Sequence, residues 1–203
     1  SKNGKPYSAD LYAVAADSNN VYLGGSFDMA KGAARNNIAQ VSATNASLVS
    51  WDPSANNIVR FIATNNSNIL FGGDFSFCKG AARSNVAQID SATGLITTWN
   101  PGTNGYVYAI TQNGNNVYIG GSFSQLAGIT RTSLGAVNAN TGALINFDPV
   151  VQYNGSQGYV YALAFDASNT LYAGGLFNAV KATTRNNLAA LSTSAALQSW
   201  NPN

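Results

Sequence analysis

Short apolar runs separated by Asn, Gly, Ser and Asp fill this chain, and they recur in register. One run leads into a Gly-Gly pair four times. These are Val21-Tyr22-Leu23 before Gly24-Gly25, Ile69-Leu70-Phe71 before Gly72-Gly73, Val117-Tyr118-Ile119 before Gly120-Gly121, and Leu171-Tyr172-Ala173 before Gly174-Gly175. A Phe follows each pair, at Phe27, Phe75, Phe123 and Phe177. A second run comes before each unit: Leu11 to Val14, Val59 to Ile62, Val107 to Ile110 and Val160 to Leu163. A third comes after it: Ile38 to Val41, Val86 to Ile89, Leu134 to Val137 and Leu188 to Leu191. A fourth segment ends on Trp51, Trp99, Phe147 or Trp200 and leads into Asp-Pro or Asn-Pro. Runs this short, rich in Val, Ile, Tyr and Phe, predict strands. The Asn and Gly between them tolerate positive φ and predict turns. Each Pro lacks an N–H and cannot extend a ladder, so it marks a strand end. No segment predicts a helix.

The first three Gly-Gly pairs are 48 residues apart and the last is 54 further on. Four predicted strands per unit, repeated four times, predict an all-β fold: a β-propeller of four-stranded antiparallel blades. The blades span approximately residues 7–53, 54–101, 102–149 and 150–203 of one repeat array covering 1–203. A lone blade cannot bury both faces, whereas stacked blades bury them between neighbours. A β-solenoid is the alternative, but its coils are shorter and lack four separate turns per unit. Most of the longer step is an insertion of five residues after Phe147. The segment Val150 to Gly158 is therefore predicted as a loop where one blade passes to the next. The ends fall in register with the repeat, so four blades leave an open arc. Closure then needs further blades of a parent protein or a second copy. A start at Ser1, without Met, reads as a processed or excised piece.

Composition narrows the function. Hydrophobic residues make up 45% of the chain and charged residues only 9%, against about 25% in ordinary domains. The surface is therefore polar but mostly uncharged, as in exported proteins, which points to an extracellular or cell-surface location. The net charge is +2 with no run of Lys or Arg, so nucleic acid is not an expected partner. No apolar run reaches the ~18 residues of a membrane span, so no membrane insertion is expected. Cys78 stands alone, which excludes an internal disulfide and predicts a small buried hydrophobe. With no His, neither a Ser-His-Asp nor a Cys-His arrangement exists. All the acids are Asp, so acid–base work would fall on Asp alone. The expectation is a protein that is not an enzyme, with no cofactor and no metal. An Asp-dependent glycan-processing enzyme is the remote alternative.

Several columns recur in every repeat, and each has a structural and a functional reading. The Gly-Gly pairs fit a strand bulge or a close backbone approach. Arg35, Arg83, Arg131 and Arg185 stand eleven residues past each first Gly. They suit donation to turn carbonyls, with anion or glycan binding as the sharper option. The aromatics Trp51, Trp99, Phe147 and Trp200 suit the core first and sugar stacking second. Asp52, Asn100, Asp148 and Asn201 precede the prolines and suit turn initiation. Facing a propeller axis, these four form the candidate ligand-binding set, for Ca²⁺ or hydroxyl groups. Two of the four are neutral, which argues against a metal ring. Asn45-Ala46-Ser47, Asn65-Asn66-Ser67 and Asn154-Gly155-Ser156 match the glycosylation sequon.

Two apolar residues before Gly-Gly, with an aromatic about 27 positions on, resemble the kelch repeat. The strings Asn-Val-Tyr-Leu-Gly-Gly-Ser-Phe, Gly-Ala-Ala-Arg-Asn-Asn-Ile-Ala and Ala-Thr-Gly-Leu-Ile-Thr-Thr-Trp-Asn-Pro are closer still to the delta-sixty type of bacterial β-propeller repeat. The resemblance covers all four units. It implies a propeller in a large exported or cell-surface bacterial protein, and it implies little about activity. The leading expectation is a structural or adhesive module making protein–protein contacts. A glycan-binding, lectin-like propeller is the alternative.

Overall fold

The computed structural model describes residues 9–65 and 67–202. Tyr7 and Ser8 of the first repeat, Asn66 of the middle sequon, and Asn203 lie outside the described residues. Every repeat builds the same antiparallel sheet. The first sheet comprises Asp10–Ala16, Asn20–Ser26 and Ile38–Ser42. The second comprises Val59–Asn65, Asn68–Gly73 and Val86–Asp90. The third comprises Tyr106–Asn113, Asn116–Ser122 and Leu134–Asn138. The fourth comprises Tyr159–Phe165, Leu171–Leu176 and Leu188–Leu191. In each, the strand that carries Gly-Gly is central and pairs with both others. No helix occurs among the described residues.

Each of these sheets therefore has three strands, where the sequence predicts four. The fourth segment contributes a single bridge: Val41 with Leu48, Ile89 with Ile96, Val137 with Leu144, and Leu191 with Leu197. The shortfall has a local cause. In the second and third repeats the aromatic three residues past the bridge is drawn into the interior, and the Pro two residues later has no N–H to continue pairing. A second departure is a hairpin of two-residue strands in every repeat: Met29–Ala30 with Ala33–Ala34, Phe77–Cys78 with Ala81–Ala82, Gln125–Leu126 with Ile129–Thr130, and Ala179–Val180 with Thr183–Thr184. Its turn has two consecutive positive φ values, 47° and 80° at Lys31-Gly32 and 47° and 74° at Lys79-Gly80. That is the twist a tight two-residue hairpin needs.

The inserted segment, expected as a loop, is paired as well. It forms a hairpin, Val151–Tyr153 with Ser156–Gln157, turning at Asn154-Gly155. Val151–Tyr153 also pairs with Ala179–Val180, so the insertion extends the short hairpin of its repeat into a four-stranded sheet.

The chain packs as two compact units, one ending at Thr97 and the other beginning at Thr98. Each holds two of the four sheets, face to face. In the first unit Tyr22, Ile38 and Trp51 pack with Val59, Ile62, Phe71, Phe75 and Ile89. In the second, Tyr118, Leu134 and Phe147 pack with Val160, Leu171, Phe177 and Leu191. Both interiors are apolar, as expected of stacked sheets that hide one face in the other.

Cys78 lies in the first of these interiors. Burial pushes its thiol up to about 12, with the nearby Arg83 charge acting the other way. The thiolate is the reactive form. Native protein at pH 8 is therefore expected to leave a thiol-reactive chromophore unconsumed, and denatured protein to consume one equivalent. Rapid native labelling would contradict the buried placement.

Candidate functional site

The recurring polar columns are bonded largely to the chain itself. Arg35, Arg83, Arg131 and Arg185 each donate Nη1 to the carbonyl of the preceding residue, at 2.7, 2.8, 2.7 and 2.8 Å. Nη2 of three of them reaches a carbonyl on the bridge segment: Val49 for Arg35 at 2.9 Å, Thr97 for Arg83 at 2.7 Å and Gln198 for Arg185 at 2.9 Å. The guanidinium fork thus ties the short hairpin to the outer edge of its own sheet, and its rigidity makes both bonds at once. Nε of all four is buried and meets no acceptor among the described residues. Arg83→Ala is expected to lower stability by about 1 kcal/mol, because an exposed and a half-buried carbonyl lose their shared donor. Arg83→Lys recovers only part, since an ammonium cannot span both carbonyls. Thermal melts of the two variants against wild type check this.

The proposed ligand set, Asp52, Asn100, Asp148 and Asn201, takes up several different roles. Asp52 faces Arg35 at 3.8 Å and Asp148 faces Arg131 at 3.5 Å. Both pairs are partly exposed, where such pairs contribute little. Asn100 is exposed beside the Gly142 turn, with its backbone N close to where a Cβ on that Gly would lie. Asn201 is exposed as well. Among the described residues no three His, Cys, Asp or Glu side chains are grouped so as to hold a metal.

The glycine pairs answer two separate steric demands. The strand before each pair carries a bulge, at Leu11/Ala13, Val59/Phe61, Val107/Ala109 and Val160/Ala162. The bulge drives a carbonyl against the second glycine. A Cβ on Gly25, Gly73, Gly121 or Gly175 would overlap the carbonyl oxygen of Asp10, Ile58, Tyr106 or Tyr159. Gly24 and Gly120, the first glycines of their pairs, face the neighbouring sheet instead. A Cβ on Gly24 would lie 2.7 Å from Val59 Cγ1, and one on Gly120 would lie 2.6 Å from Val160 Cγ1.

The aromatic column lines the sheet-to-sheet packing. Trp51 meets Tyr22 edge-on at 5.5 Å and donates Nε1 to the Asp90 carbonyl at 3.3 Å. Trp99 donates Nε1 to the Asn138 carbonyl at 3.0 Å. Phe147 meets Tyr118 edge-on at 5.0 Å. Trp200 meets Tyr172 in the same way at 5.2 Å, yet it is exposed.

Sequence reasoning passed over one column, the extra residue of each bulge: Tyr12, Arg60, Tyr108 and Tyr161. In the first unit Arg60 lies over the Tyr12 ring at 5.6 Å and is held by Asp74 in a two-bonded ion pair at 2.6 Å each. In the second unit Tyr108 and Tyr161 are 5.3 Å apart, and Tyr159 lies nearly parallel to Tyr161 at 6.2 Å. Ser122 donates Oγ to the Tyr108 hydroxyl at 3.3 Å. Tyr106, Tyr159 and Tyr161 are exposed. Desolvation, then the neighbouring Tyr108 and Tyr159, raise the Tyr161 phenol above its ordinary value, so it stays a neutral donor in physiological conditions. The signal was present as Tyr-Val-Tyr at 106–108 and again at 159–161. This cluster is the candidate contact site, since exposed tyrosines offer apolar area and a hydrogen bond at low entropic cost.

No protein-family model matches the chain, and no curated protein sequence matches it. Solved structures do share its fold. The computationally designed Ika4 protein has 17% identity and a TM-score of 0.60, over 93% of this chain and 94% of that one. The computationally designed Ika8 protein has 14% identity and a TM-score of 0.58, over 92% of this chain and 60% of that one. The extracellular domain of a one-component system protein of B. thetaiotaomicron has 15% identity and a TM-score of 0.61, over 93% of this chain but 22% of that one. At these identities the likeness is one of fold: the chain is an all-β protein of repeated antiparallel sheets, similar to propeller-like structures.

Proposed function

We propose that this chain is a non-catalytic interaction module of a secreted or cell-surface protein, a β-propeller array of the kelch-like or delta-sixty type that contacts other proteins. One observation carries the reading. The recurring Arg column and the turn Asn residues are occupied by the chain's own backbone, as where Asn104 Oδ1 accepts from Ser124 N and Gln125 N at 2.9 and 2.8 Å. The tyrosine cluster, by contrast, has Tyr106, Tyr159 and Tyr161 exposed, and tyrosine is enriched at protein interfaces. The low charge and the fold shared with an extracellular domain support the location. No helix of the described residues is long and apolar enough to cross a membrane.

Lectin-like glycan binding is the second reading, favoured by the near-parallel Tyr159 and Tyr161 rings, 4° apart in plane. Wild type and a Tyr159→Ala/Tyr161→Ala variant, screened on arrayed extracellular proteins and on arrayed glycans, separate the two. The expected result is protein binding that weakens about tenfold or more in the variant, a loss of about 1.4 kcal/mol. Glycan binding alone, lost in the same variant, moves the assignment to the lectin reading. Hydrolysis of any arrayed glycan overturns the non-catalytic claim.

A further inference from the structure

Among the described residues, one face of the first sheet and one face of the fourth expose large apolar side chains, and these faces match the two sides of the packing inside the units. Within the first unit, Val59 and Ile62 of the second sheet press on Gly24 of the first, and they are 0% and 4% exposed. The residues in the same columns of the first sheet are Leu11 and Val14, 54% and 63% exposed. With Leu23, Phe27, Met29 and Val41, Leu11 lines an open groove of about 220 Å³. In the equivalent columns Phe71, Phe75 and Ile89 are buried.

The fourth sheet has the opposite face open. Trp200 is 43% exposed, while its counterpart Trp51 is 4% exposed. Leu188 is likewise exposed where Ile38 and Leu134 are buried. Gly174 identifies what belongs there. Gly24 and Gly120 must be glycine because a Val of the next sheet sits on each. Around Gly174 there is room: the nearest atom to a Cβ is its own sheet's Leu188 Cδ2 at 3.3 Å, then Asn187 O at 3.8 Å. Its φ lies outside the left-handed region, so nothing within the unit requires a glycine. A face that keeps the glycine, the edge-on Tyr172–Trp200 pair and Leu188 is shaped to receive another sheet of this repeat.

We infer that the first-sheet face of one copy of this chain docks on the fourth-sheet face of a second copy, reproducing the packing seen within each unit. Leu11 and Val14 then sit over Gly174 as Val59 and Ile62 sit over Gly24. Trp200 Nε1 gains the Ser42 carbonyl of the other copy, the column equivalent of the Asp90 carbonyl that Trp51 uses. The eight sheets of two copies stay within the roughly four to eight blades that propellers contain. The interface follows from the repeat and not from the tyrosine cluster, so it stands or falls apart from the proposed function.

The test is the mass of the full chain in solution by light scattering, for wild type, Gly174→Val and Leu11→Asp. Gly174→Val fills the space meant for Leu11 and Val14, and Leu11→Asp places a charge on an already exposed position. Wild type is expected at about twice the 21.1 kDa chain mass. Both variants are expected at the single-chain mass, with unchanged far-UV circular dichroism. A wild-type monomer at micromolar concentration, or a dimer that survives both variants, overturns the inference.

Discussion

Gly73→Ala is expected to cost about 4 kcal/mol or more, placing it among the exceptional single substitutions. The added methyl would overlap the Ile58 carbonyl oxygen and approach the Val59 Cα to 3.0 Å. Both are backbone atoms, so no rotamer change relieves the contact. Ile58 and Val59 stand at the edge of the bulge that sets the register between Val59–Asn65 and Asn68–Gly73. Moving them apart breaks pairing on the strand that carries Val59 and Ile62 into the first unit's interior. Gly80→Ala is the instructive contrast. No atom lies near its added Cβ, and only the φ of +74° opposes it, a strain of about 1–2 kcal/mol. Urea denaturation of the two variants followed by circular dichroism checks the ranking. A Gly73→Ala protein as stable as Gly80→Ala would contradict the bulge geometry.

Trp51→Ala is expected to cost about 3–5 kcal/mol, the range for removing a large buried aromatic. Trp51 has three attachments. Its ring meets Tyr22 edge-on, its Nε1 bonds the Asp90 carbonyl, and its Cδ1 would lie 2.9 Å from a Cβ placed on Gly94. The indole therefore joins the first sheet to the second. Trp200→Ala, in the same column but exposed, is expected to cost the isolated chain far less. The difference between the two melting temperatures measures what covering the column contributes. Equal losses would show that Trp51 acts only within its own sheet.

Much of the fold is legible in the chain. The four repeats, the central strands, the two strands flanking each, and the insertion after Phe147 follow from spacing and residue type, because strand alternation and turn chemistry are local. The fourth segment pairs far less than its residues suggest. Its apolar residues, such as Ile96 and Leu144, signal contact with the interior but not the length of hydrogen-bonded pairing. The short hairpins leave little trace in the sequence. Met29–Ala30 and Ala33–Ala34 are too brief to show alternation, and only the two positive φ values at Lys31-Gly32 define them. The candidate site was harder still. Asp52, Asn100, Asp148 and Asn201 form a column in sequence, but Asp52 and Asp148 turn to arginines. Tyr108 and Tyr161 are the extra residues of two bulges far apart in the chain, and only the packing of their sheets brings the rings to 5.3 Å.

The sequence by itself determined the repeat, its strand order and the absence of His-based chemistry, since these depend on residue identity and neighbours along the chain. It also determined that two glycines stand in every repeat. Only the tertiary structure decided why. The second glycine answers a carbonyl from the bulged strand beside it, and Gly24 and Gly120 answer a valine from the sheet stacked upon them, contacts made across 15 to 40 residues of chain. Tertiary structure also decided that one Trp of the column is buried and another exposed. Burial depends on whether another sheet is present to displace water from that face, and no property of the residue or its neighbours in the chain carries that information.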